Sequence, residues 1–156
     1  MKIDVVIPVY RPDEKLDRLI RMLTRQTLMP HKLIIMKTGE RLEKEELFRG
    51  RLNSAGIEIQ VHCLAKEEYD HGNTRHQGIL KSDAPAVVCM TQDAVFADEK
   101  VIEMLVGALF SDTAKAGGGA EIAAAYARQL PAADCGFLER YTRSFNYPET
   151  SRIKTG

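Results

Sequence analysis

Ile3-Asp4-Val5-Val6-Ile7-Pro8-Val9, followed by Tyr10-Arg11-Pro12-Asp13-Glu14, is the stretch that decides how the chain folds. Its first part is nearly continuous in β-branched side chains, the pattern of a strand buried on both faces rather than one alternating between core and water. Pro8 lacks a backbone N–H and is expected to end it. Pro12-Asp13-Glu14 then supply a helix start with acid in the first turn, and Leu16, Leu19, Ile20 and Leu23 recur at helical spacing. A buried strand feeding an amphipathic helix is one βα unit.

The unit repeats along the chain. Lys32 to Met36 reads as a second strand, Lys37-Thr38-Gly39-Glu40 as a turn, and Leu42 to Leu52 as an amphipathic helix ending before Gly56. Ile57 to Leu64 is a third strand. Arg75 to Leu80 forms a short helix with Asn73 or Thr74 as N-cap. A fourth strand, Ala86 to Thr91, leads to Gln92-Asp93 and a helix that Asp98 caps, with Val101, Ile102, Leu105, Val106 and Leu109 as its apolar stripe. Ala114 to Ala120 is expected to be a surface loop and Ile122 to Tyr126 a fifth strand. Strands alternating with helices on short connections imply a mostly parallel α/β sheet flanked by helices, Rossmann-like in plan, whose ligands sit at the carboxyl ends of the strands.

Composition narrows the partners. The 156 residues are 44% apolar and 28% charged, the make-up of one globular domain, and 22 Lys and Arg balance 22 Asp and Glu. No net field favours nucleic acid, so any phosphate binding must be local. No apolar run approaches the ~20 residues that cross a bilayer, and the first residues lack the pattern of a signal peptide. Cys63, Cys89 and Cys135 are scattered and odd in number, which fits a reducing cytoplasmic setting and leaves open a peripheral attachment at the inner face of the cell membrane.

Several residues could carry chemistry. Asp93 stands where an apolar strand emerges and could bind a hard divalent cation completed by phosphate oxygens and water, although on position alone a turn aspartate is the plainer reading. Between Glu68 and Gly78 a dense polar stretch opens a helix, where backbone N–H groups and Arg75 could receive a diphosphate, or where the loop could simply be a solvated cap. His62, Cys63, His71 and His76 are close in sequence but match no zinc spacing. There is no P-loop, no dinucleotide fingerprint and no nucleophile elbow. Cys89, within a strand, reads as core packing.

Five pieces, taken together, resemble the family 2 glycosyltransferases of GT-A fold, and among them the bacterial rhamnosyltransferases of polysaccharide synthesis. They are Val5 to Tyr10, Glu68-Tyr69-Asp70-His71-Gly72-Asn73-Thr74-Arg75, Met90-Thr91-Gln92-Asp93-Ala94, Tyr126 to Pro131, and Arg143-Ser144-Phe145-Asn146-Tyr147-Pro148. The resemblance implies that Pro8, Val9, Tyr10 and Arg11 hold the pyrimidine nucleoside of the donor and that Arg75 lies near its base and diphosphate. It makes Asp93 the metal-binding member of an Asp-x-Asp element, with Gln92 beside it in place of another acid, and Mg²⁺ or Mn²⁺ as the cofactor. Where the family commonly has an Asp after the second strand, this chain has Lys37-Thr38-Gly39-Glu40, and Glu40 is the substitute.

The implied function is transfer of a sugar, such as rhamnose from dTDP-rhamnose, to a polysaccharide or lipid-linked acceptor with inversion. The family's general base lies well downstream of the Asp-x-Asp element, beyond the last residue here. The chain is therefore read as one nucleotide-sugar-binding domain of a longer protein, expected to be inactive or weakly active alone. The alternative is a non-catalytic α/β module serving interaction or oligomerisation, with Phe137, Leu138, Tyr141, Phe145 and Tyr147 as a self-association surface.

Overall fold

The computed structural model describes residues 1–110, 122–131, 135–147 and 149–150. It divides into two compact units, Met1–Val106 and Gly107–Gly156. The expected loop at Ala114 to Ala120 lies outside the described residues.

In the first unit β1 (Ile3–Val9), β2 (Lys32–Thr38), β3 (Glu58–Leu64) and β4 (Ala86–Cys89) form one parallel sheet in the order β3-β2-β1-β4. Every residue of β1 and β2 is buried, as the unbroken apolar run of Ile3 to Val9 requires of a central parallel strand. β1 runs through Pro8 to Val9 rather than stopping at the proline. The reason lies in the ladder. The Val6 carbonyl accepts from Met90 N–H on the β4 side, and alternation turns the Pro8 nitrogen to that same side, where β4 has already ended.

The connections are helical. α1 (Glu14–Leu23) starts on Asp13, whose side chain accepts from Lys15 N–H, and buries Leu16, Leu19, Ile20 and Leu23. α2 (Glu45–Ser54) lies against β3 and ends where Gly56 takes a φ of 76°. Asp17 of α1 accepts from Arg21 on its own helix and from Arg51 of α2 at 2.9 Å, which ties the two helices together. α3 (His71–Ile79) packs on β1 and β2 through Gly78; a Cβ there would lie 2.5 Å from Val6 Cγ1. Val6 belongs with Ile34 and Met36 to a buried apolar cluster on this face.

α4 (Val101–Leu109) begins in the same unit. Asp98 accepts from Lys100 N–H at its entry, but the buried Gln26 adds a cap from a different part of the chain. Its amide donates to the Asp98 carbonyl at 2.8 Å and accepts from Ile102 N–H at 3.1 Å. At the amino end of the sheet the buried Asp4 accepts from Ser82 Oγ at 2.6 Å and faces His31 Nδ1 at 3.4 Å, so its carboxylate is partnered far from the strand ends that matter for ligands.

In the second unit, α5 (Phe137–Asn146) carries Phe137, Tyr141 and Phe145 stacked along one face, with centroids 6.3 and 6.4 Å apart. The strand expected at Ile122 to Tyr126 is not formed; residues 122–131 have no regular secondary structure. A strand needs a neighbour for its N–H and C=O groups, and among the described residues this segment has none to pair with. No helix of the described residues is long and apolar enough to cross a membrane.

Candidate functional site

The strand order makes a topological switch. From β1 the chain moves outward to β2 and β3, then returns to the other side of β1 as β4. The connections after β1 and β4 therefore diverge, leaving a crevice at the carboxyl ends of these two strands, the usual ligand position in an open α/β sheet. Pro8, Val9, Tyr10 and Arg11 follow one lip of it and Gln92-Asp93 the other.

The two lips are joined directly. Tyr10 N–H donates to Gln92 Oε1 at 2.8 Å and Gln92 Nε2 donates to the Tyr10 carbonyl at 2.9 Å. Arg11, with φ of 45°, folds its guanidinium over the Tyr10 ring at 5.2 Å, a cation–π contact at a partly exposed ring. Asp93 is exposed in a tight turn closed by Ala94 N–H on the Thr91 carbonyl at 3.2 Å. The plain turn reading of Asp93 is thus its backbone geometry, and that turn leaves its carboxylate open to solvent. β4 stops at Cys89, short of the expected Thr91, because the turn begins there.

Arg75 reaches the same edge from α3. It is partly buried, donates to the His71 carbonyl at 2.7 Å, and its charge acts on Cys89 at the end of β4. Partial desolvation pushes the Cys89 thiol up, and the Arg75 charge pulls the other way. Cys89 itself is exposed rather than packed in the core, because β4 is short and borders the sheet. Glu40 is exposed beyond the end of β2, after Gly39, whose φ of 84° turns the chain away.

The start of α3 differs from expectation in a way that bears on phosphate. The helix begins at His71 rather than Arg75, and its cap is Asp70, whose Oδ1 accepts from Gly72 N–H at 3.0 Å and Asn73 N–H at 2.7 Å. Those first-turn donors are already committed to a carboxylate, so they do not form the open anion cradle that the sequence suggested. Arg75 remains, as a side chain rather than as part of a backbone nest. Tyr69 braces the entry by its hydroxyl on His71 Nδ1 at 2.9 Å, a contact with no evident signal in the sequence.

Lys37 and Thr38 also escaped the sequence reading as anything but a turn. Both are buried at the end of β2, where Lys37 Nζ donates to the Thr38 carbonyl at 2.8 Å and Thr38 Oγ1 has no hydrogen-bond partner. A cleft of about 490 Å³ lies between β3 and α3, lined by Met36, His62, Leu64, Glu68, Gln77 and Lys81 among others. Burial and the nearby Lys81 charge push the His62 imidazole down, favouring its neutral form.

Among the described residues no group of three or more His, Cys, Asp or Glu side chains converges on one point. A single exposed carboxylate such as Asp93 still fits a hard cation of the Mg²⁺ type, which commonly takes one or two protein oxygens and fills its shell with substrate phosphate and water.

Known proteins bear on this arrangement at three levels. The model of the family described as "Glycosyl transferase family 2" matches residues 4–126. The chain is 33% identical over 156 residues to the O-antigen chain rhamnosyltransferase RfbN of Salmonella typhimurium, covering 99% of this chain and 46% of that protein. It is 26% identical over 153 residues to the O-antigen chain rhamnosyltransferase WbaN of Salmonella anatum, covering 97% of this chain and 44% of that protein. The chain thus spans about half the length of the curated relatives it matches. S. aureus TarS 1-349 in complex with UDP superposes with a TM-score of 0.56 at 15% identity, over 72% of this chain and 32% of that one. Glucosyl-3-phosphoglycerate synthase from Mycobacterium tuberculosis, in complex with UDP, gives 0.51 at 17% identity over 70% and 40%. These two likenesses speak for the α/β fold, and the sequence match runs from the first strand through every loop of the crevice: the chain belongs to glycosyl transferase family 2.

Proposed function

We propose that this chain is the nucleotide-sugar-binding domain of a glycosyltransferase, with the donor held in the crevice between the ends of β1 and β4. The observation that carries the reading is the coupling of Tyr10 to Gln92 across the switch point, which puts the Pro8–Arg11 segment at the end of β1 and Asp93 on one sheet edge. The Tyr10 ring and Arg11 present a flat surface for a pyrimidine, Arg75 faces the diphosphate, and Glu40 borders the nucleoside from β2. Asp93 holds Mg²⁺ or Mn²⁺, which when bound offsets the charge that develops on the departing nucleoside diphosphate. An acceptor hydroxyl, giving up its proton to a general base, attacks the anomeric carbon from the face opposite the nucleoside diphosphate, whose bond to that carbon breaks, so the configuration inverts.

The names of the relatives support rhamnose as the sugar and an O-antigen chain as the acceptor. Nucleotide binding is supported by TarS, whose structures hold UDP and UDP-GlcNAc. A nucleotide-sugar donor supports a cytoplasmic setting, with peripheral attachment at the inner face of the cell membrane. Calorimetry decides the donor reading. Titration with dTDP and UDP should show binding that tightens with Mn²⁺, and Asp93→Ala should remove the Mn²⁺ effect while leaving a weaker, metal-independent affinity. No nucleotide binding by the wild-type chain at any Mn²⁺ concentration would sink it.

A second reading, self-association, is favoured by one observation. Phe137, Leu138 and Phe145 of α5 are each more than three-quarters exposed, and Tyr141 more than half.

A further inference from the structure

Gln92 bridges a place where the sheet has run out. β4 ends at Cys89 and β1 at Val9, so Tyr10 and Gln92 lie past the last ladder bonds between these strands. There one side-chain amide makes the pair of bonds that two residues of a neighbouring parallel strand would make, accepting from Tyr10 N–H at 2.8 Å and donating to the Tyr10 carbonyl at 2.9 Å. The orientation of the amide follows from its partners, since the N–H requires the oxygen and the carbonyl requires the NH₂. The next residue, Arg11, has a left-handed backbone at φ 45° without being glycine. Such a conformation persists only where its surroundings over-determine it.

Resting on the donor-site reading above, we propose that Gln92 is a positioning residue: its amide locks the Tyr10–Arg11 turn in the shape that receives the nucleoside, and it acts through that loop without touching nucleotide or metal. Both ends of the amide are needed. A carboxylate at this position could accept from Tyr10 N–H but has nothing to donate to the Tyr10 carbonyl. A loop held ready in the free protein spares the ordering cost at the moment of binding, so losing the lock should appear as lost affinity rather than lost stability.

The test uses the whole ¹⁵N-labelled chain, as wild type, Gln92→Ala and Gln92→Glu, with two measurements. Amide hydrogen exchange at Tyr10, followed by NMR without nucleotide, should quicken about tenfold in Gln92→Ala and stay slow in Gln92→Glu, whose carboxylate still accepts from that N–H. Titration with dTDP and Mn²⁺ should show about tenfold weaker binding in both variants, since both lose the bond to the carbonyl. Melting temperatures should remain within about 3 °C of wild type, because neither residue belongs to the core. Unchanged exchange at Tyr10 in Gln92→Ala overturns the proposal. So does tighter Mn²⁺-dependent binding in Gln92→Glu, the behaviour of a residue on the metal side of the site. If the wild type binds no nucleotide the donor reading fails instead, while exchange at Tyr10 still decides whether the lock exists.

Discussion

Asp93 shows how a turn position and a metal position can be the same residue. The turn closed between Thr91 and Ala94 bends the chain at the strand end and leaves the Asp93 carboxylate pointing into water, where a cation bearing a diphosphate could reach it. Residue type and place after a strand were legible in the sequence; the turn was the plainer guess and is what forms. Strand membership does not bring burial at Cys89, because a short strand bordering the sheet leaves its last residue exposed. Its thiol also reports on Arg75. Partial desolvation by its neighbours pushes the thiol up and the guanidinium opposes this, so Arg75→Ala should raise it further and leave less thiolate at pH 8. Alkylation of Cys89 by iodoacetamide, followed by mass spectrometry, should then be slower in the variant, and an unchanged rate would remove Arg75 from this edge.

Among the elements, α1 and α2 depend on a charge that the helical pattern did not reveal. Asp17 occupies a buried position on α1, where the hydrogen bond from Arg51, reinforced by Arg21, outweighs desolvation and holds its carboxyl below the usual aspartate range. Its folded state is thus the weaker binder of protons. The stabilisation is present in full above the unfolded value near 4 and drains away as pH falls through the lower folded value. Asp17→Asn should cost about 1–2 kcal/mol at pH 7 in urea unfolding and flatten the loss of stability below pH 4. An identical acid limb in both proteins would show that the Arg51 contact contributes nothing. For α3, the sequence supplied the polar residues but placed the helix start at Arg75, because Asn73 and Thr74 are good caps. Asp70 wins since its carboxylate meets two N–H groups at once, and Thr74 Oγ1 accepts from Asp70 N–H in return at 3.3 Å.

For the whole molecule, the exposed aromatic ladder of α5 has a measurable consequence. Sedimentation velocity between micromolar and hundred-micromolar concentrations should show concentration-dependent association, reduced in a Phe137→Ser, Phe145→Ser variant; a strictly monomeric wild type would remove self-association as a reading. The parallel α/β plan was legible because it is written locally: unbroken apolar runs at Ile3–Val9 and Lys32–Met36, helical stripes at Leu16–Leu23 and Val101–Leu109, and short polar connections each depend on neighbours in sequence. The missing strand at Ile122 to Tyr126 marks the limit of that reading, since a short apolar run invites a strand but only a partner strand creates one. The order β3-β2-β1-β4, the switch point it makes, and the bond of Gln92 to a residue 82 positions away are of the same kind. The sequence by itself determined the elements and the polar residues at their ends, because propensity and periodicity act over a few residues. Only the tertiary structure decided which of those ends meet, because hydrogen bonds such as Tyr10–Gln92 depend on strand order and register, which no local pattern encodes.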